Sequence, residues 1–333
     1  MDPVHQDFFE GGAGRERTLA ANEEAFARRW LVPRVLRATG ERDLRTTVAG
    51  TSLAAPVLVA PTAFHRLAHP QGEVATARGA AAAGTAMVVS MAATQPVEEI
   101  AAAGGTLWFQ LYPQPDLDFT EYVIKRAESA GCQALVVTVD SPVFGRHERD
   151  LRNGFTDLPP GYACENMRDA TGRVRSITMD ATAGWDRIAW LRGVTGLPIL
   201  LKGILHPADA RLAVQHGAAG VIVSNHGGRQ LDGTVPTLDA LPAVVAAVRG
   251  QLPVLLDGGV RGGTDVVIAL ALGARAVLVG RPVVRGLAAG GSAGGSAGVR
   301  EVLERLTTEL DHTLALAGAR RPADLTPDQV VTR

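Results

Sequence analysis

From residue 56 onward the chain repeats one pattern: a short apolar run, a polar residue at its end, then a stretch with helical spacing. The runs are Val57–Ala60, Ala86–Ser90, Leu107–Gln110, Ala134–Thr138, Ile199–Lys202, Val221–Ser224, Val254–Asp257 and Val277–Gly280. Strands that are apolar at every position are buried on both faces, which is the signature of a parallel sheet flanked by helices. Alanine-rich segments such as Glu73–Ala83, Ala208–His216 and Gly263–Leu272 supply those helices. Eight repeats of this kind predict an α/β fold, a (β/α)8 TIM barrel, in preference to an open sheet.

A barrel collects its active-site groups at the C-terminal ends of its strands. Here those ends read Pro61-Thr62-Ala63, Ser90, Gln110, Thr138 with Asp140, Lys202, Ser224 with His226, Asp257-Gly258-Gly259 and Gly280-Arg281. A barrel built only for stability has no need of such a ring of donors, acceptors and charges. The longest interruption, residues 141–198, is expected to form a long lid-like loop region after the fourth strand, part of it mobile over the mouth. Residues 1–50 read as an N-terminal helical cap, with Gly11–Gly14 breaking the chain and Thr18–Trp30 at helical spacing. Those glycines follow no strand, so they form a turn rather than a phosphate loop. Gly290–Gly298 holds only Gly, Ser and Ala and is expected to be a flexible surface loop, with residues 299–318 returning to a helix outside the barrel. The whole chain, 1–333, reads as one barrel domain.

Composition narrows the partners. A formal net charge of -1 with no long basic run argues against nucleic acid, and no apolar run reaches the length of a membrane span. Cys132 and Cys164 are the only cysteines and make no disulfide framework. The N-terminus has no signal-peptide pattern and the C-terminal Val-Val-Thr-Arg is no peroxisomal address, so a cytoplasmic protein is expected.

The most informative stretch is Val221–Asp232. An apolar run stops at Ser224, and Gly227 and Gly228 turn the backbone so that His226 and Arg229 can project into one space. Histidine suits proton abstraction near neutral pH, and arginine suits bidentate binding of a carboxylate. His-x-x-Arg alone also occurs on ordinary surface loops. A second constellation follows the last two strands, where Asp257-Gly-Gly-Val-Arg-Gly-Gly263 and Gly280-Arg281 offer backbone amides and two arginines to a phosphate. A lysine ending so apolar a strand as Ile199–Lys202 is expected to have a buried anionic partner.

Ser224-Asn-His-Gly-Gly-Arg-Gln-Leu-Asp232 resembles the signature of the FMN-dependent 2-hydroxy-acid oxidases and dehydrogenases, the family of glycolate oxidase, lactate oxidase and mandelate dehydrogenase. The resemblance runs from Gly11 to about Gly318. It implies FMN as cofactor, with Gly258, Gly259, Arg261, Gly280 and Arg281 around the phosphate and Asp257 on the ribityl chain. Pro61, Thr62, Ala63, Ser90, Gln110, Thr138 and Ser224 would surround the ring, and Lys202 would stand beside its N1–C2 edge. His226 matches the family's base, Asp140 the carboxylate paired with it, and Tyr112 the tyrosine near the substrate hydroxyl. Arg229 and Arg146 match the two substrate-side arginines. The same likeness implies a homotetramer, a small 2-hydroxy acid and O2 as substrates, and no metal.

Three departures bear on the substrate. Phe8 stands where the family usually has a carboxylate-binding tyrosine, Ala92 stands where glycolate oxidases often carry tryptophan, and the leading helix is missing or shortened. Phe8 and Ala92 together resemble mandelate and 4-hydroxymandelate oxidases and imply an aryl-substituted (S)-2-hydroxy acid. A lactate- or glycolate-type acid, and an electron acceptor other than dioxygen, are the alternatives. Ala63, and a long loop without an apolar insertion, lean toward dioxygen. A flavin barrel isomerase would not need His226, Arg229 and Arg146 together, and a non-catalytic flavin-binding subunit would not need to keep them.

Overall fold

The computed structural model describes residues 1–333. Eight parallel strands close into a barrel: β1 (Val57–Val59), β2 (Ala86–Ser90), β3 (Thr106–Leu111), β4 (Leu135–Thr138), β5 (Ile199–Lys202), β6 (Gly220–Val223), β7 (Val254–Asp257) and β8 (Ala276–Val279). Closure comes from β8 pairing with β1, Val277 to Val57 and Val279 to Val59. Each observed strand lies within one residue of its expected run at either end, because a fully buried run leaves no ambiguity about which face is inward.

Alternate strand residues serve two cores. Leu58, Val88, Trp108, Val136, Leu200 and Ile222 point into the barrel, and their neighbours in sequence face the surrounding helices. A small antiparallel pair, Thr46–Val48 with Thr51–Leu53, plugs the N-terminal end, where the Trp108 indole N–H donates to Thr51 Oγ1 at 2.9 Å. The outer ring begins with the cap helices α1 (Pro3–Glu10) and α2 (Arg17–Ala27). It continues through α3 (Gly72–Ala82), α4 (Val97–Ala102), α5 (Leu117–Ser129), α6 (Glu148–Arg152) and α7 (Asp186–Val194). It ends with α8 (Pro207–Gln215), α9 (Thr237–Val248), α10 (Gly263–Ala271), α11 (Arg281–Leu287) and α12 (Gly295–Ala317). No helix is long and apolar enough to cross a membrane. The chain opens on α1, eight residues long and holding Phe8, with Asp2 capping it through the Val4 amide.

Two expectations need correction. Residues 141–198 are not one loop, since they contain α6 and end in α7, the regular barrel helix before β5. Nor is Gly290–Gly298 simply a surface loop. From Gly295 it is the first turn of α12, a helix that packs on α3, α10 and α11. Composition misled there because small residues serve close helix crossing as well as flexibility. A Cβ on Gly298 would stand 2.1 Å from the Gly286 carbonyl oxygen, and one on Gly286 would stand 2.5 Å from that of Gly298.

Gly298→Leu is therefore expected to cost at least the roughly 1–3 kcal/mol of an overpacked core. The expected result is a lower urea midpoint with an unchanged slope.

Candidate active site

His226, the expected base, stands just beyond the end of β6. His226 has a left-handed backbone, φ 60°, and its amide donates to Ser224 Oγ at 3.0 Å. Such a conformation is strained for a non-glycine residue and aims the ring across the mouth. Its Nδ1 lies 2.9 Å from Asp140 Oδ1, and its Nε2 lies 3.3 Å from the Tyr112 hydroxyl, with the two rings nearly parallel at 9°. A carboxylate can only accept, so Nδ1 carries the proton and Nε2 presents its lone pair. Burial alone would raise the Asp140 pKa. The His226 charge and hydrogen bond, then Lys202 and Ser141, outweigh it and hold the carboxyl below its ordinary value. Burial, with Asp140 second, pushes the Tyr112 phenol well above its ordinary range, so it stays a neutral donor. The carboxylate is steadied from behind, where Gln230 Nε2 donates to Ser141 Oγ and that hydroxyl donates to Asp140 Oδ1 at 3.0 Å.

Arg229 arrives from the same turn. Its Nη1 donates to the carbonyls of Phe8 at 2.6 Å and Gly11 at 2.8 Å, and its guanidinium lies 5.0 Å from the centre of the Phe8 ring. Phe8 in turn stacks on Phe64 and leans on Phe155. The Phe8 face therefore gives the cation a π surface, worth about 0.5–2 kcal/mol, in place of a hydroxyl. Burial lowers the Arg229 pKa against the opposing pull of Asp150. Only carbonyl oxygens hold its Nη1, which leaves the rest of the fork for a ligand carboxylate.

Arg146 does not join it. Its side chain is 77% exposed and paired with Glu148 at 3.0 Å, contrary to the substrate-side place expected for it. The reason is alternation along an extended segment. Gly145 packs so closely on the Arg229 carbonyl oxygen that a Cβ would stand 2.0 Å away, and His147 Nε2 reaches the same oxygen at 2.9 Å. The residue between them must point outward. His147 Nδ1 also meets Asp150 Oδ2 at 3.0 Å, so this histidine, not Arg146, fastens the long loop to the Arg229 backbone.

The cofactor residues expected at the strand ends converge on one mouth. Lys202, with 4% of its side chain exposed, finds its anion: Nζ lies 3.1 Å from Asp257 Oδ2 and donates to Ser224 Oγ at 2.9 Å. Ser90 Oγ donates to Gln110 Oε1 at 3.3 Å and accepts from the amide of buried Ala92 at 3.1 Å, and Thr138 is buried at the end of β4. Thr62 Cγ2 faces Gly280 across the junction of β1 and β8. Gly258 and Gly259 both take φ 88°, and Arg261 and Arg281 line one cavity of about 470 Å³ together with Glu10 and Glu23. Burial first, then Arg229 and Arg261, depresses the Arg281 pKa, and with Arg149 and Arg285 also on its lining this corner holds more arginine than acid.

Unpaired atoms test the fit to FMN. Gln110 Nε2, Asp257 Oδ1 and Arg261 Nε are buried without partners, beside Asp140 Oδ2. Buried polar atoms of this kind need a partner. A donor among the ring residues, an acceptor among the ribityl residues and a donor among the phosphate residues match the three parts of that molecule.

The sequence profile of the FMN-dependent dehydrogenase family matches residues 1–332. The chain belongs to this family. Among curated relatives it is 48% identical to glycolate oxidase 5 of Oryza sativa subsp. japonica, covering 98% of this chain and 90% of the relative. It is 45% identical to the L-lactate oxidase of Nostoc sp., covering 96% and 91%. Among solved structures, mandelate oxidase with (S)-2-phenylpropionate superposes with a TM-score of 0.91 at 44% identity, covering 100% of this chain and 94% of that one. The cofactor of the family is FMN, and its matched relatives are 2-hydroxy-acid oxidases.

Sequence reading missed His147, Ser141, Gln230 and the pair Asn22–Asn225, whose amides bond reciprocally at 2.8 and 2.9 Å and pin α2 to the His226 turn. Four of these adjoin motif residues in sequence, while Asn22, in α2, carried no such signal.

Asp140→Asn should lower kcat by about 10²–10⁴-fold with flavin content unchanged, because the amide no longer fixes the His226 tautomer. The fold favours the ionised form of Asp140. Its contribution is therefore present above the ordinary carboxyl pKa of about 4 and lost only as pH falls below that, so kcat/KM should show no acid limb at the ordinary value. His147→Phe should raise KM about tenfold while kcat stays within about twofold, since it loosens a substrate anchor and not the base.

Proposed function

We propose that this protein oxidises an aryl-substituted (S)-2-hydroxy acid of the mandelate or 4-hydroxymandelate type to the 2-oxo acid, with FMN as cofactor and dioxygen reduced to hydrogen peroxide. The observation that carries the oxidation is the His226 Nε2 lone pair, backed by Asp140 and adjacent to both the Tyr112 hydroxyl and a buried Arg229. The substrate carboxylate pairs with Arg229. The hydroxyl lies between Tyr112 and His226, which takes its proton, and Asp140 stabilises the imidazolium that results. FMN, when bound, would supply the two-electron acceptor, with dioxygen as the final oxidant. Lys202 would offer a fixed cation to the negative charge of the reduced ring. One 2-hydroxy acid and one O2 give one 2-oxo acid and one H2O2.

Ala92 and the aromatic group of Phe8, Phe64 and Phe155 support the aryl preference: the small residue leaves room, and the rings offer apolar surface near Arg229. The likeness to mandelate oxidase points the same way. Glycolate and lactate oxidases at 48% and 45% identity keep a short aliphatic acid as the second reading.

Anaerobic mixing with (S)-mandelate should bleach the flavin absorbance, and admitting air should restore it rapidly. Bleaching by glycolate or lactate but not mandelate would overturn the aryl assignment, and slow recovery in air would assign another acceptor. Ala92→Trp should cut kcat/KM for mandelate by at least about tenfold, the effect of losing roughly 1.4 kcal/mol of pocket complementarity, and spare short acids.

A further inference from the structure

Beneath the Pro61-Thr62-Ala63 turn lies a buried polar network that the reaction above does not use. His65 is fully buried on a single 3-10 turn. Its backbone N–H donates to Glu73 Oε1 at 3.0 Å, its Nδ1 lies 2.9 Å from Thr76 Oγ1, and its Nε2 meets Thr62 Oγ1. Glu73, also fully buried, accepts from the Thr94 amide at 2.9 Å and the Thr94 hydroxyl at 2.7 Å, so the turn is anchored on both sides.

Donors and acceptors can be assigned along this chain. The Thr76 hydroxyl donates to the Gly72 carbonyl one turn back in α3, at 3.4 Å, so its oxygen accepts from His65 Nδ1–H. Burial pushes the His65 pKa below its ordinary value and keeps the ring neutral. Nε2 is then an acceptor, and the Thr62 hydroxyl must donate to it. A hydroxyl has one proton, so toward the half-buried mouth Thr62 Oγ1 can only accept.

Position adds the second half. In the closed ring β1 lies four strands from β5, so Thr62 and Lys202 stand on opposite walls of the barrel. If FMN binds with its N1–C2 edge at Lys202, as the family likeness implies, Thr62 would face the opposite, C4–N5 edge. Reduction adds an N–H at N5.

We propose that His65 is a positioning residue that fixes Thr62 as a hydrogen-bond acceptor toward the N5 edge of bound FMN, and so favours the reduced flavin. The inference rests on the FMN placement proposed above.

The test is the two-electron midpoint potential of FMN-loaded protein, measured by dye equilibration alongside FMN content. His65→Leu removes the acceptor that orders Thr62. It should weaken the preference for reduced flavin about tenfold, which lowers the potential by about 30 mV. Thr62→Val should give the same shift, and the double variant no more. His65→Gln keeps an acceptor oxygen and should stay within about threefold of the wild type. Wild-type potentials in both His65→Leu and Thr62→Val would overturn the proposal. So would a Gln variant shifted as far as Leu, which would mark His65 as packing only. If His65→Leu fails to fold, the near-isosteric Thr62→Val decides alone. Wild-type protein that takes up no FMN would instead overturn the FMN placement, an outcome distinct from an unmoved potential.

Discussion

An ammonium group closed off from water dictates much of this molecule. Lys202 ends an apolar strand, and a buried cation is tolerated only when paired and hydrogen-bonded. Asp257 at the end of β7 and Ser224 just beyond β6 meet that need directly, and Asp140 beyond β4 feels the same charge. Four strand ends are thereby fixed relative to one another by a single residue. Asp140 is then in place to hold His226, and Ser224 supports the His226 amide as well as the Lys202 ammonium. The proton-transfer group and the cation assigned to the flavin edge share one electrostatic framework. Removing either Lys202 or Asp257 would leave its partner as an uncompensated buried charge.

The cap is the second structural condition for the site. The anchoring carbonyls of Arg229 and Arg281 all lie in Phe8–Gly11 or in the His226 turn itself. Asp232, at the end of the motif, accepts from the amides of Arg15 and Thr18 and so starts α2. Arg229, the arginine proposed to bind the substrate carboxylate, is thus oriented by a segment more than two hundred residues away in sequence. A barrel without its cap would keep the base and lose the geometry of the carboxylate anchor.

What could be read from sequence follows from how each feature is encoded. Eight strands were legible because burial on both faces forces every position to be apolar. The ring of polar strand ends was legible because the barrel gives those positions one direction. Lys202 could be assigned a buried anion in advance, and Asp257 supplies it. Orientation within loops was not legible. Whether Arg146 or His147 faces Arg229 depends on the phase of an extended segment set by the Gly145 contact, which no local pattern records. Gly290–Gly298 shows the same limit, since small residues describe a close helix crossing and a flexible loop equally well. His65 and Glu73 sat beside a recognised turn, but their polar partners come from α3 and the β2 end, apart in sequence.

Charge at the corner that would take the phosphate would link the cofactor to the fold. Burial first, and then the neighbouring charges of Arg229 and Arg261, depresses the Arg281 pKa, and of the three only Arg261 has a salt-bridge partner, Glu23. Without an anion the folded chain carries mutual repulsion in a partly desolvated corner, together with buried polar atoms that have no partner. A phosphate dianion bound there would remove the repulsion, and the molecule attached to it would offer partners to the unpaired atoms further along the mouth. Binding energy and folding energy therefore draw on the same contacts, and a ligand at a hundred times its Kd would add about 2.7 kcal/mol to the stability of the native state. The arginines and unpaired polar atoms of this corner are, for that reason, the ones whose repulsion and missing partners a bound phosphate group would relieve.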